Sequence, residues 1–503
     1  MNLIETILFQ SRLSPLTPAI HVPGSKIGPI SYGQLEAVIY NVARQAQKTG
    51  IAPGDLVATY IADRTLHVIF ALGLIYAGAR TLSLRGPRPL TGITPELILT
   101  DVPAALTGPA TVISIDESWL QGDGASGPVA PRGGDDDVCR IILTSGSTGT
   151  PKGVALSHRA LAGRAVHYSM LRGARSAHCS RFFCDLSIGT SPGFNYTMAL
   201  LSRGGTIYFL GPEPADILQI LDLHRIGGMA TSPYGLGEFL KFFEGNSAFE
   251  TWFDHIICQG ALLSPRLAGR ARARMCSNLY SSYGATETTT VAFGPASVVE
   301  RIPGAVGYIQ PSALVQVLDA SGRVLPPMRD GSIQIRSDYM ASEYVGDPEA
   351  TAAQFRDGYF YTGDVGHITP ENILVITGRE KTALNIGGDT ISPELVESII
   401  LAFPGIRDAA VFASTNDLGI AELSALVVTE RAVDASELTR YCASRLPPSC
   451  APTQILTVDA LPRGGQGKLE RQRLPEFAAA VLKKALPNGG VRMSARTDPD
   501  EYR

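Results

Sequence analysis

Apolar residues recur along this chain with two spacings. From Ser31 to Gly50, in SYGQLEAVIYNVARQAQKTG, Leu35, Val38, Ile39, Val42 and Ala46 lie three or four apart, which predicts an amphipathic helix with Ser31 as N-cap and Gly50 as its stop. The short apolar run Asp55 to Ile61 predicts a strand, followed by a helix over Leu66 to Ala79. The longest apolar run in that segment, Val68 to Ala79, is too short to cross a bilayer. Alternation of this kind over residues 1–140 favours a parallel α/β sheet. Val138 to Leu143, Ile373 to Ile376, Ala409 to Ala413 and Glu422 to Val428 read as further strands. Gly228 to Gly235 and His255 to Leu262 each read as a strand entering a loop. After Pro393, Leu395, Val396, Ile399 and Ile400 share one helix face, and Ser436 to Arg445 reads as another helix.

With 503 residues the chain exceeds what one core supports, so at least two domains are expected. Charged residues at 18% and a net charge of −4 describe an ordinary globular protein, with neither a nucleic-acid-binding surface nor a basic membrane patch. Seven scattered cysteines, with no CxxC pair, read as reduced core thiols of a cytoplasmic protein. The start, MNLIETILFQSRL, carries Glu5 in its apolar stretch and does not read as a signal peptide. The polar, unpatterned residues 487–503 are expected to be a disordered tail, with no carrier domain following.

Candidate chemistry centres on TSGSTGTPKG, Thr144 to Gly153, directly after an apolar strand. Gly146, Gly149 and Gly153 let backbone N–H groups approach an anion, the hydroxyls of Thr144, Ser145, Ser147, Thr148 and Thr150 add donors, and Lys152 adds a compact positive charge. This reads as a phosphate grip, with a flexible polar surface loop as the alternative. It is not a Walker A loop, because Pro151 and Gly153 flank Lys152.

The loop resembles the signature of the adenylate-forming superfamily, which holds acyl-CoA synthetases, adenylation domains of nonribosomal peptide synthetases and luciferases. Further segments resemble that family's motifs in its order: YSSYGATETT from Tyr280, YFYTGD from Tyr359, TGREK from Thr377 and LPRGGQGKLERQRL from Leu461. The resemblance runs from Ser31 to about Leu474. It implies an α/β fold, with a large N-terminal ATP- and acid-binding domain of parallel-rich sheets flanked by helices (1–379), a hinge at 380–381 containing Lys381, and a small mobile α+β lid domain (382–486). It also implies roles. Gly260 and Ala261 sit against adenine, Tyr283 stacks near the base beside Gly284, Thr286 meets the phosphate end, and Glu287 holds Mg²⁺. Asp364 and Arg379 take the ribose, Lys468 is catalytic, and the loop with Gly387 and Gly388 serves a second step. The implied reaction joins a small carboxylic acid to ATP as acyl-AMP and passes the acyl group to coenzyme A. The alternative acceptor is a separate carrier protein. Asp185 is the acid available in the segment that lines the family's acid pocket, but it lies about five residues too early for the amino-acid-activating register. A strand-end or capping role for it stays open, as does a plain capped turn for the Glu287 segment.

Overall fold

The computed structural model describes residues 2–23, 25, 27–84, 92–103, 110–116, 118–121, 127–144, 151–171, 180–210, 217–245, 253–380, 382, 384–386, 389–415, 421–446, 451–464 and 467–485. The predicted N-terminal elements form where the pattern puts them. Ser31 caps the helix Tyr32–Lys48 through a capping box: its hydroxyl accepts from Gln34 N–H, and the Gln34 side chain accepts from Ser31 N–H. The next helix, Arg64–Tyr76, starts on an Asp63 cap and is buried over nearly all its length.

Between and after these helices the strands Thr111–Ser114, Leu97–Thr100, Leu56–Tyr60, Arg80–Ser83, Val138–Thr144 and Lys152–Ser157 form a six-stranded sheet in that spatial order. Its pairs are parallel except the last, a hairpin in which Thr144 faces Lys152. A second, larger sheet has a central block of parallel strands ordered Leu279–Ala285, His255–Gln259, Gly228–Thr231, Arg181–Cys184, Thr206–Tyr208 and Pro18–His21. It continues antiparallel from Leu279–Ala285 through Thr289–Pro295, Ala305–Ile309, Ile373–Arg379, Tyr359–Ile368, Gly331–Ser337 and Ala313–Leu318.

The smaller C-terminal domain is α+β. The strands Ile406–Thr415, Ala421–Thr429 and Gln454–Thr457 form one sheet, packed by the helices Pro393–Leu401, Ala435–Ala443 and Leu474–Ala485. Val396, Ile400, Val411, Ala425, Leu438 and Cys442 form the middle of its core. The five cysteines among the described residues, Cys139, Cys184, Cys258, Cys276 and Cys442, are free thiols and buried.

Two local readings change. Gly228–Thr231 does not run into a loop: Pro233 opens a helix, Pro233–Gly245, after a single intervening residue, because proline's fixed φ suits a first helical turn. The strand read over Ile373 to Ile376 runs on through Thr377 to Arg379.

Candidate active site

In a parallel block, ligands gather beyond the carboxyl ends of the strands. Here those ends carry Asp185 after Arg181–Cys184, Thr231 and Tyr234 after Gly228–Thr231, Gly260 and Ala261 after His255–Gln259, and Tyr283 to Glu287 after and within Leu279–Ala285. Gln259 pairs with Ser282, so Gly260 and Ala261, both exposed, lie level with Tyr283.

Tyr283, Asp364 and Arg379 form one cluster. Asp364 and Arg379 are directly paired across the antiparallel strands Tyr359–Ile368 and Ile373–Arg379. Arg379 Nε lies 2.8 Å from Asp364 Oδ1, and the Tyr283 hydroxyl donates to Oδ2 at 2.5 Å. Asp364 is buried. Its charge raises the pKa of Arg379, while burial and then this same carboxylate hold the Tyr283 phenol protonated. The result is a fixed carboxylate with an aromatic ring beside it.

Four residues after Tyr283, Glu287 sits in a second cluster. The turn that carries it depends on Gly284, where the register between Leu279–Ala285 and Thr289–Pro295 shifts. A Cβ on Gly284 would lie 1.9 Å from Thr289 O, so only glycine permits this bulge. Arg164, fully buried on the helix His158–Leu171, holds the turn from behind by donating to Thr286 O (2.9 Å), Glu287 O (3.1 Å) and Tyr339 O (2.9 Å). Glu287 is 6% exposed. The Tyr344 hydroxyl lies 2.7 Å from Glu287 Oε1, and Lys152 Nζ stands 4.7 Å over the Tyr344 ring. Burial raises the proton affinity of Glu287, partly offset by Tyr344, Arg164 and Lys152. The expected phosphate lysine and the expected metal carboxylate are therefore brought to one tyrosine. Thr144 Oγ1 donates to Lys152 O at 3.4 Å, closing the base of the hairpin.

The structure also shows what Asp185 does. It is no helix cap: its N–H donates to Ala230 O, and its Oδ2 accepts from Thr231 Oγ1 at 2.9 Å. A Cβ on Gly235 would lie 2.2 Å from that oxygen, so glycine leaves the room for it. Burial raises the pKa of Asp185, with Thr231 and Arg64 acting the other way. Behind this pocket segment Arg140, fully buried on Val138–Thr144, donates to Ser83 Oγ (2.6 Å) and Ile188 O (3.1 Å) and lies 4.8 Å over the Phe194 ring. It joins the sheet that leads into TSGSTGTPKG to the loop after Asp185.

The loop bearing Lys468 comes from the small domain. Arg463 and Leu469 form a β-bridge, Gly464 N–H donates to Lys468 O (2.9 Å), and Arg463 pairs with Asp408 (2.6 Å). Gly467, at φ +72°, presses against the large domain: a Cβ there would lie 2.6 Å from Cγ of Tyr234. Exposed Lys468 is the next residue, so this loop lies on the rim formed by Tyr234, beside the Asp185 segment.

Ser145, Gly146, Ser147, Thr148, Gly149, Thr150, Lys381, Gly387 and Gly388 lie outside the described residues. Tyr344, Arg164, Arg140 and Tyr234 are additions that the motifs did not point to. Arg140, Arg164 and Tyr344 act through buried polar contacts and Tyr234 through a half-exposed ring against Gly467, neither of which a one-dimensional pattern reveals. Among the described residues no group of three or more His, Cys, Asp or Glu could hold a metal ion, and no helix is long and apolar enough to cross a membrane.

Known proteins resemble this chain in sequence and fold. The chain is 27% identical over 478 residues to a 4-chlorobenzoate–CoA ligase from Arthrobacter sp., covering 90% of each chain. It is 26% identical over 517 residues to the fatty acid–[acyl-carrier-protein] ligase ScoC from Streptomyces coeruleorubidus, covering 94% of this chain and 96% of the other. Among solved structures, ATP-bound MatB from Rhodopseudomonas palustris superposes with a TM-score of 0.78 at 26% identity, over 95% of this chain and 99% of that one. The AMP-binding enzyme family model matches residues 91–345, and the model of the AMP-binding enzyme C-terminal domain matches residues 395–468. The two matches flank the Asp364–Arg379 cluster and take in Glu287 and the Lys468 loop, and the chain belongs to the AMP-binding enzyme family.

Proposed function

We propose that this protein is an ATP-dependent acid–thiol ligase: it activates a small carboxylic acid as acyl-AMP and then transfers the acyl group to coenzyme A. The observation that carries this reading is the seating of the Lys468 loop on Tyr234, which brings a lysine of one domain to the strand ends of the other that carry Asp185 and Thr231. The relatives named as CoA ligases, together with the ATP-bound neighbour, support it.

The first step is electrostatically hard, because a carboxylate must approach a polyphosphate while charge builds on the departing pyrophosphate. The residues divide that work. Asp364, with Arg379 behind it, accepts from the ribose hydroxyls, and Tyr283, Gly260 and Ala261 frame the base. Lys152, Thr144 and the loop 145–150 grip the β- and γ-phosphates, with Thr286 at the phosphate end. Lys468 lies between the substrate carboxylate and the α-phosphate. A carboxylate is already an ionised nucleophile, so no general base is required. Glu287 fits a hard divalent cation. It is a buried oxygen donor with Oε1 fixed by Tyr344, the hard ligand type that Mg²⁺ takes alongside phosphate oxygens. When bound, Mg²⁺ would supply charge neutralisation on the leaving group. For the second step, we infer that the small domain turns about 380–381, withdrawing Lys468 and bringing in the Gly387–Gly388 loop. Buried thiols suit work in a reducing compartment such as the cytoplasm.

A carrier protein is the second candidate acceptor, kept by the carrier-protein ligase among the relatives and by the half-buried Asp185 carboxyl beside Thr231. The test is mass spectrometry of products from the protein with ATP, Mg²⁺ and a pool of aliphatic, aromatic and amino acids, with and without coenzyme A. One acyl-CoA product is expected. Acyl-AMP alone would move the acceptor to a carrier protein, and no pyrophosphate release would overturn the proposal. Lys468→Ala should lower acyl-AMP formation by about two to three orders of magnitude, the scale of losing one charged stabiliser, yet still convert supplied acyl-AMP to thioester.

A further inference from the structure

Tyr344 stands where two parts of the site meet, and no motif marks it. Its backbone is fixed on the hairpin that carries Lys152: Val154 and Tyr344 form an antiparallel bridge, and Val345 N–H donates to Gly153 O at 2.8 Å. Tyr344 N–H donates to Thr351 Oγ1 at 3.0 Å, and Phe355 meets its ring edge-on at 5.4 Å. The side chain is 4% exposed. Held this way, the ring faces Lys152 Nζ at 4.7 Å, while the hydroxyl reaches Glu287 Oε1 at 2.7 Å and Gln354 Oε1 at 2.6 Å.

A phenol has one proton, so it cannot donate to two acceptor oxygens. Glu287 is the charged acceptor and takes the stronger bond. A glutamine amide carries an acceptor oxygen and two N–H donors, and a half-turn about its last torsion exchanges them. Turning the Gln354 amide makes Gln354 N–H the donor to the tyrosine oxygen, giving a directed chain Gln354 → Tyr344 → Glu287. The chain uses one lone pair of Oε1 and leaves Oε2 for another partner.

We propose that Tyr344 is a positioning residue that sets two things separately: its hydroxyl aims the Glu287 carboxylate at the divalent cation, and its ring places Lys152 for the phosphates. The inference rests on Glu287 being the metal carboxylate. Partners that orient a metal-binding carboxylate commonly change metal affinity 10–100-fold when removed, and an exposed cation–π contact is a weaker effect.

The test is Mn²⁺ titration of the full-length protein with a non-hydrolysable ATP analogue, followed by electron paramagnetic resonance, beside calorimetry of the analogue in the absence of metal. Tyr344→Phe keeps the ring and should weaken Mn²⁺ about 10-fold while leaving metal-free analogue affinity unchanged. Tyr344→Leu should weaken both. Gln354→Glu adds a second acceptor competing for the single proton and should weaken Mn²⁺ with the tyrosine intact. Glu287→Gln is the control on the underlying reading. If Glu287→Gln loses Mn²⁺ affinity and Tyr344→Phe does not, the positioning role is wrong. If Glu287→Gln itself leaves Mn²⁺ binding unchanged, the metal role of Glu287 falls, and the inference with it. Melting temperatures of all four variants identify any loss that is merely structural.

Discussion

A neutral imidazole is built into the interior of the large domain. His67, buried on Arg64–Tyr76, places Nε2 2.6 Å from Ser83 Oγ, and burial together with the charges of Arg140 and Arg64 pulls its pKa down to about 3. The folded state therefore refuses a proton that the unfolded chain accepts near pH 6.5. Stability from this residue is complete above that value and falls as the pH drops from about 6.5 towards 3. Between pH 7 and pH 5 the wild type should lose about 2 kcal/mol from this site. His67→Gln should flatten that limb in urea denaturation, and an unchanged slope would refute the account. At this scale the sequence was legible where a motif repeats a fixed chemistry. Asp364, Arg379, Tyr283 and Glu287 all lie at the clusters described. It was not legible for Arg164, Arg140 and Tyr344, because their partners lie far along the chain: Arg164 bonds residues 122 and 123 positions away. Such contacts are made by sheet order, not by local pattern.

At the scale of elements, the signature segment near the end of the small domain is held by an ion pair between the partly exposed Arg471 and the buried Glu397. Arg471 donates to Glu397 Oε1 (2.7 Å) and Oε2 (2.8 Å) and approaches Glu394 (3.1 Å), while Val411 N–H donates to Glu397 Oε1 at 2.8 Å. This ties the helix Pro393–Leu401 and the strand Ile406–Thr415 to the segment that follows Lys468. Burial raises the pKa of Glu397, with Arg471 the main opposing influence. Arg471→Ala would leave that carboxylate buried and unpaired, at a cost of roughly 3–5 kcal/mol, read as early unfolding of the small domain in limited proteolysis. A change no larger than that of a surface substitution would show that the pair is dispensable. Periodicity gave these elements well: the strands Ala409 to Ala413 and Glu422 to Val428 are the centres of longer ones. It failed at Pro233, where a proline after a strand signals a turn or a helix start with equal force until packing decides.

For the whole molecule, two domains could be read from length and from the change of pattern after residue 380, but their relative placement could not. That placement depends on side chains distant in sequence. Glu430, at the end of Ala421–Thr429, accepts from Arg266 (2.7 Å) and Arg270 (2.5 Å) on the helix Pro265–Arg274, and Arg266 also donates to Phe403 O (3.1 Å). Partly exposed pairs like these are worth about 1 kcal/mol together, which is about a five-fold shift between two orientations. Glu430→Gln should therefore slow pyrophosphate release several-fold and spare thioester formation from supplied acyl-AMP. Raising the ionic strength should act in the same direction. Equal losses in both half-reactions would show that Glu430 has no part in domain orientation.

The burial of the cysteines has a further consequence. An acyl-adenylate would acylate any thiolate it met, including one belonging to the enzyme that made it. Cys184 is the thiol nearest in sequence to the pocket, directly before Asp185. It is fully occluded, its Sγ donates to Leu186 O, and burial pushes its pKa up to about 12, as it pushes Cys276 and Cys442 to about 11. Packing thus withholds the five thiols among the described residues from the enzyme's own intermediate, which favours a nucleophile admitted from outside.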